Sequence, residues 1–260
     1  MTPIRLVLGA GLILALATPV AIAQTAAKSP PATATALPAV EPEAVQALTR
    51  MSAYLGTLVS YEITAETSLD LVLDDGQALK LDGVNRYLVR RPDAFVVEVA
   101  TAYKVRRLVY DGKRLTVHAP ELGYYATVEA PPTIRETLDA AHDQYGLDVP
   151  LNDLFRWADP TRSEADRLKE AMVVGPARIG GVECTQYAFR EGDIDWQIWI
   201  ENGERPVPRK VVIVDRKSED HPQFEARLAW NMTPAVSNDS FTFRPTKDEK
   251  LIRLSSLNTK

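Results

Sequence analysis

The side chains that most often carry chemistry are few and scattered in this sequence. Its three histidines, His118, His142 and His221, are far apart, and no two of them have the spacing of metal ligands. The motifs G-x-S-x-G and H-E-x-x-H and the phosphate loop are absent. A Ser-His-Asp triad can assemble from distant residues, so catalysis is not excluded. No residue favours it, and we predict no catalytic residue, no metal and no cofactor.

Two further groups of reactive residues have simpler interpretations. The acid pairs Asp193 with Asp195 and Asp74 with Asp75 lie at turn-like positions, which is typical of solvated turn residues. Cys184 is the single cysteine, which excludes an internal disulfide. In an oxidising compartment a lone cysteine is most often a small buried hydrophobic residue, and a reactive thiol is the alternative.

Arg107 is a narrower candidate, in the stretch KVRRLVY. It shares one face of its strand with Tyr103, Val105 and Val109. If that face is concave and covered, the buried charge needs a partner, such as a ligand head group or the carbonyls at a helix end. The alternative is that Arg107 lies near a strand end and extends its charge to water.

The start of the chain predicts export. Arg5, the apolar run from 6 to 17 and the A-x-A site before residue 24 predict a signal peptide, residues 1–23, cleaved after Ala23. Residues 24–40 are rich in Ala, Thr and Pro and are predicted to be a disordered spacer. The net charge of −5 gives no support for nucleic acid binding. We therefore expect a periplasmic protein.

Apolar periodicity predicts one helix followed by many strands. Pro42 suits a first helical position, and apolar residues from Val45 to Leu58 recur at spacings of three and four. In 61–73 the residues alternate between apolar and polar, which indicates a long strand in a curved sheet with one buried face. Further strands are predicted at 79–90, 94–101, 103–110, 113–118 and 124–129, and then at 182–190, 194–201, 209–216, 223–231 and near 241–243.

The middle of the chain is predicted to be helical. Thr133 to Glu136 and Thr161 to Glu164 are capping boxes, and Pro150 can open a short helix between them. The insert, residues 132–174, therefore holds three short helices between two blocks of strands. In the third helix, Leu168 and Met172 are the apolar residues.

Pro206 and Pro208 lie in the stretch DWQIWIENGERPVPRKVVIV. A two-residue turn at Asn202 and Gly203 would pair Ile200 with Arg205, and both prolines would then remove donors on one side only. The segment would be a blunted local edge, which indicates an open sheet. An irregular loop from 201 to 209 is the alternative.

The order of these elements resembles the periplasmic lipoprotein carrier (LolA-like) fold, an incomplete barrel with a helical lid over a hydrophobic cavity. The stretches GVEC at 181–184, YAFR at 187–190, DWQIWI at 195–200 and PVPRK at 206–210 resemble a bacterial family of predicted periplasmic proteins of unknown function. We therefore predict a mainly β (α+β) fold with a single curved, open antiparallel sheet. Its domain is residues 41–245, followed by a tail, residues 246–260.

The resemblance implies a cavity for acyl chains or another apolar ligand. The residues predicted to line the cavity are Leu69, Leu71, Val97, Val99, Val105, Arg107, Trp196, Ile198, Leu228 and Trp230. The residues predicted to form the lid are Leu138, Tyr145, Leu151, Leu154, Phe155 and Trp157. An ordinary packed core is the competing interpretation of these apolar residues.

Three functions follow from this prediction. The favoured one is a monomeric carrier for a lipid or for lipoprotein acyl chains, without enzymatic activity. The second is a sensor or adaptor that binds an envelope protein. The third is a secreted hydrolase, for which no residue stands out.

Overall fold

The computed structural model describes residues 39–73, 75–102, 104–157 and 167–257. The predicted signal peptide and nearly all of the predicted spacer lie outside these residues. Asp74, Tyr103 and the predicted capping box at 161–164 lie outside them as well. Among the helices that the structure describes, none is long and apolar enough to cross a membrane.

One twelve-stranded, curved, open sheet forms the body of the protein. The strands, in chain order, are β1 (Ser60–Val72), β2 (Ala78–Arg90), β3 (Ala94–Thr101), β4 (Val105–Tyr110), β5 (Arg114–Ala119), β6 (Tyr124–Glu129), β7 (Glu170–Ile179), β8 (Val182–Glu191), β9 (Ile194–Glu201), β10 (Pro208–Asp215), β11 (Gln223–Asn231) and β12 (Lys250–Leu251). Their order across the sheet is β12-β6-β5-β4-β3-β2-β1-β11-β10-β9-β8-β7. All pairs are antiparallel except β12 with β6. Because β12 and β7 do not pair, the sheet stays open, as the sequence predicted.

The two faces of the sheet differ in their covering. We call inner the face of Ile63, Tyr87, Val97, Leu108 and Ile198, which join the helices in one buried apolar cluster. Their alternate neighbours form the outer face, and β1 shows this alternation clearly in its first half. The predicted burial of one face of β1 is confirmed for Tyr61, Ile63 and Ala65.

Helix α1 (Pro42–Thr57) packs on the inner face. Pro42 stands at its start, where no backbone donor is needed. The residues buried along its stripe are Ala44, Ala47, Leu48, Met51 and Leu55. The predicted amphipathic helix is therefore confirmed.

Helices α2 (Ile134–Tyr145) and α3 (Asp153–Trp157) form the described part of the predicted insert. Thr133 caps α2 as predicted: the Glu136 amide donates to the Thr133 hydroxyl oxygen at 3.2 Å. The second half of the predicted capping box differs, because the Glu136 carboxylate accepts from the Thr133 hydroxyl at 2.8 Å. The prediction of helix up to residue 174 was wrong at its end. β7 begins at Glu170 and contains Met172, which is exposed on the outer face.

The connection between β9 and β10 also differs from the predicted two-residue turn. Pro208 pairs with Ile200 and Val211 with Ile198, so residues 202–207 form a six-residue connection. The loop alternative was therefore correct. β10 is an interior strand whose pairing with β11 begins at Lys210, beyond the second proline. Both prolines precede the first β10–β11 pair, so their missing donors interrupt no hydrogen bond of that ladder.

The C-terminal segment, residues 232–257, crosses the outer face. A short 3-10 helix, Asn238–Phe241, replaces the predicted strand near 241–243. Phe241 is buried beneath the Arg90 guanidinium, and Phe243 contacts the rings of His118 and Tyr125. β12, within the predicted tail, then pairs with β6 and forms the edge of the sheet.

Candidate functional site

A cavity of about 600 Å³ lies between α3 and the inner face of β9 and β10; we call it the inner cavity. Its apolar walls are Trp157, Ile194, Trp196, Val211 and Ile213. These side chains come from alternate positions of two paired strands and from the last turn of α3. Cavities of 300–1,000 Å³ with mainly apolar walls are typical of small-molecule sites.

Two tryptophans form part of the wall of the inner cavity, and a third aromatic ring supports them. The Trp196 ring stacks on Phe189 with centroids 4.3 Å apart, and Trp157 from α3 lies 5.9 Å from Trp196 in a near-parallel orientation. Such rings fill a large volume with few rotatable bonds, so they give a rigid apolar surface. The wall is therefore fixed on both the sheet side and the helix side.

Charged residues form the rim of the inner cavity: Asp153, Arg156, Arg167, Glu191, Asp193, Asp215 and Lys217. Arg167 and Glu191 form an ion pair. The Lys217 amide donates to the Asp215 carboxylate at 2.8 Å, and this hydrogen bond holds the pKa of Asp215 below its ordinary value. The inner cavity therefore has charges of both signs beside its apolar walls.

An apolar row leads out of the inner cavity along the inner face. Cross-strand pairing places Trp196 beside Ile213, Ile213 beside Phe224, Phe224 beside Leu69, and Leu69 beside Leu81. Leu69 and Leu81 remain 44% and 42% exposed. With Leu71 and Leu73, also exposed, they form a group that we call the tip leucines. The sheet thus presents an uncovered apolar surface that is continuous with the cavity.

The predicted cavity residues are divided among several environments. Trp196 lines the inner cavity, and Leu69 and Leu71 belong to the tip leucines. The remaining inner-face candidates, Val97, Val99, Ile198, Leu228 and Trp230, pack in or against the main core cluster. At these positions the competing interpretation, an ordinary core, describes the packing.

Arg107 and Val105 lie on the outer face, which corrects their placement among cavity residues. Arg107 is opposite Glu98 in the β3–β4 ladder and donates to its carboxylate at 2.7 Å. Its side chain is 44% exposed, and it lines a different cleft beneath the C-terminal segment. The hypothesis that Arg107 binds a ligand head group required it to lie on the concave, covered face of the sheet. It lies on the opposite face, so that requirement is not met.

The predicted lid residues mostly face the core. Leu138, Leu151, Leu154 and Trp157 are buried, and Phe155 lies 6.0 Å from Phe95, ring to ring. Tyr145 is an exception, because it lines a separate groove beside residues 251–256.

Two tyrosines of the sheet hold the ends of the α2–α3 region. The Tyr110 hydroxyl donates to the Pro131 carbonyl at 2.6 Å, and the Tyr87 hydroxyl donates to the Pro150 carbonyl at 2.8 Å. Burial raises the pKa of both hydroxyls, so they remain protonated donors. The helices are thus fixed to the sheet at both sides of α2.

Sequence reasoning missed Ile194, Val211, Ile213 and Arg156 as cavity residues. The alternation in 209–216 places Val211 and Ile213 on the same side of their strand. Both sides of that strand are apolar, however, so periodicity alone does not show which side faces the helices. Cys184, by contrast, behaves as predicted. It is buried on the outer face with Trp199 and Val212, and burial raises the pKa of its thiol.

Comparisons with known proteins give one family and a set of distant structural neighbours. An uncharacterised conserved protein from Thermus thermophilus is 12% identical, with a TM-score of 0.47 over 81% of this chain and 99% of its own. LprF from Mycobacterium bovis is 13% identical, with a TM-score of 0.42 over 76% and 97%. A LolA superfamily protein from Nitrosomonas europaea is 10% identical, with a TM-score of 0.37 over 77% and 97%.

No curated protein matches the chain. A family model, however, matches residues 44–255, which is most of the sequence and includes the four stretches from 181 to 210 that carried the resemblance. The chain belongs to the family described as "Predicted periplasmic protein (DUF2092)", and it is a periplasmic protein.

Proposed function

We propose that this protein is a periplasmic binding and carrier protein for a hydrophobic ligand, such as a lipid or the acyl chains of a lipoprotein. The alkyl part of the ligand lies in the inner cavity, between α3 and strands β9 and β10. The observation that carries the proposal is an apolar cavity of about 600 Å³ that the described side chains do not fill. The apolar walls of such a cavity can remove the alkyl part of a ligand from water.

The driving force for this binding is the removal of alkyl surface from water. Each methylene group buried contributes about 0.8 kcal/mol. The row from Trp196 to Leu81 extends the apolar surface beyond the cavity, so a long chain can continue across the inner face. The proposed role is binding, without catalysis.

The first experiment uses the position of two tryptophans. A spin-labelled fatty acid quenches nearby indole fluorescence, so binding in the inner cavity should quench Trp157 and Trp196. The variants Trp157→Phe and Trp196→Phe should each lower the quenched fraction. Trp199→Phe is the matched control, because Trp199 lies on the outer face. An equal quenched fraction in all four proteins would rule out this location.

The second experiment identifies the natural ligand. Protein purified from its native envelope and extracted with organic solvent should release a lipid that mass spectrometry detects.

The tip leucines favour a second candidate function, an adaptor that docks an envelope protein, because their exposed apolar surface lies outside the cavity. An adaptor without a lipid ligand would release nothing on extraction and would show no quenching.

A further inference from the structure

Arg156 is a rim residue whose hydrogen-bond donors are incompletely satisfied. Its Nη1 donates to Asp153 over 3.4 Å, whereas charge-assisted hydrogen bonds are usually about 2.7–2.9 Å long. Its Nε is buried and has no hydrogen-bond partner. The side chain is only 30% exposed, so water solvates it incompletely. A buried donor without an acceptor is unfavourable, and a suitable acceptor would remove that cost.

The other charges on the rim are paired, exposed to water or negative. Arg167 pairs with Glu191, and Lys217 is exposed, so water can solvate its ammonium group. The attraction of Arg156 for an anion is moderated by nearby negative charges, so we expect a preference of moderate size. The acids that line the rim and oppose an anion are Asp153, Asp193 and Asp215.

We propose that Arg156 binds the anionic head group of an amphiphile whose alkyl chain lies against Trp157, Trp196 and Ile213. The planar guanidinium presents several N–H groups in a fixed fork that matches the oxygens of a carboxylate or a phosphate. The Arg156 side chain and these apolar side chains line the same cavity, so it offers the two kinds of contact that an anionic lipid makes. This inference rests on the proposed function and adds the class of head group.

The wild-type protein tests the head group without any substitution. Palmitate, hexadecyl phosphate and hexadecanol share one chain length and differ in the head group, so competition against a fluorescent fatty acid compares their affinities directly. We expect the better of the two anions to bind about tenfold more tightly than the alcohol. The relative affinities of palmitate and hexadecyl phosphate then show whether the head is a carboxylate or a phosphate.

Arg156→Gln removes the charge and keeps most of the side-chain length. The preference for the anions should disappear, while the affinity for hexadecanol and the thermal midpoint stay close to those of the wild type. Arg156→Lys should restore part of the preference, because it returns a charge without the fork. Arg86→Gln on the outer face is the matched control and should leave every affinity unchanged.

Each outcome supports or overturns a distinct statement. Equal affinity of the wild-type protein for the three compounds overturns the assignment of Arg156 and leaves the binding of alkyl chains intact. The same conclusion follows if Arg156→Gln weakens hexadecanol as much as the anions. Failure of all three compounds to bind overturns the proposed function together with this inference.

Discussion

At the scale of single residues, the three histidines have separate surroundings. The His118 ring is buried, and its Nε2 lies 2.6 Å from a carboxylate oxygen of Glu249, so it connects β5 to the C-terminal segment. His221 occupies a turn with positive φ. His142 at the end of α2 lies 2.7 Å from Asp148, with both side chains largely exposed. His118 and His142 therefore each contact a carboxylate, and these two carboxylates belong to different parts of the chain.

The His142–Asp148 pair gives a prediction of pH dependence. The hydrogen bond to Asp148 and its negative charge raise the pKa of His142 above its ordinary value of 6.5. The stabilisation by this pair is therefore complete below about pH 6.5 and is lost as the pH rises through the raised pKa of the folded protein. An NMR titration of the imidazole should give a lower pKa in Asp148→Asn than in the wild type.

The control for this titration is Asp139→Asn, since Asp139 contributes a smaller electrostatic effect to the same histidine. Asp139→Asn should lower the pKa of His142 by less than Asp148→Asn does. An unchanged pKa in Asp148→Asn would show that the pair does not form in solution. The effect on stability should be small, because exposed ion pairs are screened by water and salt.

At the scale of elements, the helices over the inner face are held by hydroxyl-to-carbonyl hydrogen bonds at both ends of the connection. The Tyr110 hydroxyl donates to the Pro131 carbonyl, and the Thr137 hydroxyl donates to the same carbonyl at 3.1 Å. The Tyr87 hydroxyl donates to the Pro150 carbonyl, and no second side chain among the described residues donates to that carbonyl. The two ends should therefore differ in how strongly they respond to loss of the hydroxyl.

Replacing these tyrosines by phenylalanine tests the attachment. Tyr87→Phe should lower the free energy of unfolding by about 1 kcal/mol or more, because the Pro150 carbonyl loses its donor. Tyr110→Phe should cost less, since Thr137 remains. Hydrogen exchange should become faster in α2 and α3. Tyr124→Phe, exposed at the start of β6, is the matched control, and equal stability of all three variants would contradict the attachment.

At the scale of the whole described body, the C-terminal segment joins parts that are distant in sequence. It contacts the outer face through Phe241 and Phe243, and its strand β12 pairs with β6 at the edge of the sheet. It also reaches α2, where the Leu257 amide donates to the Gln144 carbonyl at 2.8 Å. Pairing of β6 with β12 also covers part of an otherwise free strand edge. The segment therefore contributes to the stability of the sheet.

Phe241 allows this contribution to be measured. Its side chain is almost fully buried, with the Arg90 guanidinium 5.0 Å above the ring. Phe241→Ala should lower the free energy of unfolding by about 3–5 kcal/mol, as expected for a large core side chain. Leu251→Ala in the same segment is the control, because Leu251 is exposed, and it should change stability by less than about 0.5 kcal/mol. An unfolding curve of Phe241→Ala that matches the wild-type curve would contradict this contribution.

The sequence by itself determined the secondary structure wherever one periodicity was strong. The stripe of α1, the alternation in β1 and the Thr133 N-cap of α2 each depend on neighbours within a few residues, so local pattern was sufficient. β7 escaped prediction because Gly175 and Pro176 interrupt its pattern and its register shifts at a bulge. The predicted open sheet and the family resemblance are confirmed.

Only the tertiary structure decided which face of each strand is covered and where space remains. In β4 both sides carry apolar residues, so the placement of Arg107 on the outer face follows from its pairing with Glu98 and not from periodicity. The inner cavity lies beside Trp196, whereas Val97 and Ile198 are fully packed. A cavity is the difference between the volume that the backbone encloses and the volume that side chains fill, and that difference exists only once distant elements have packed.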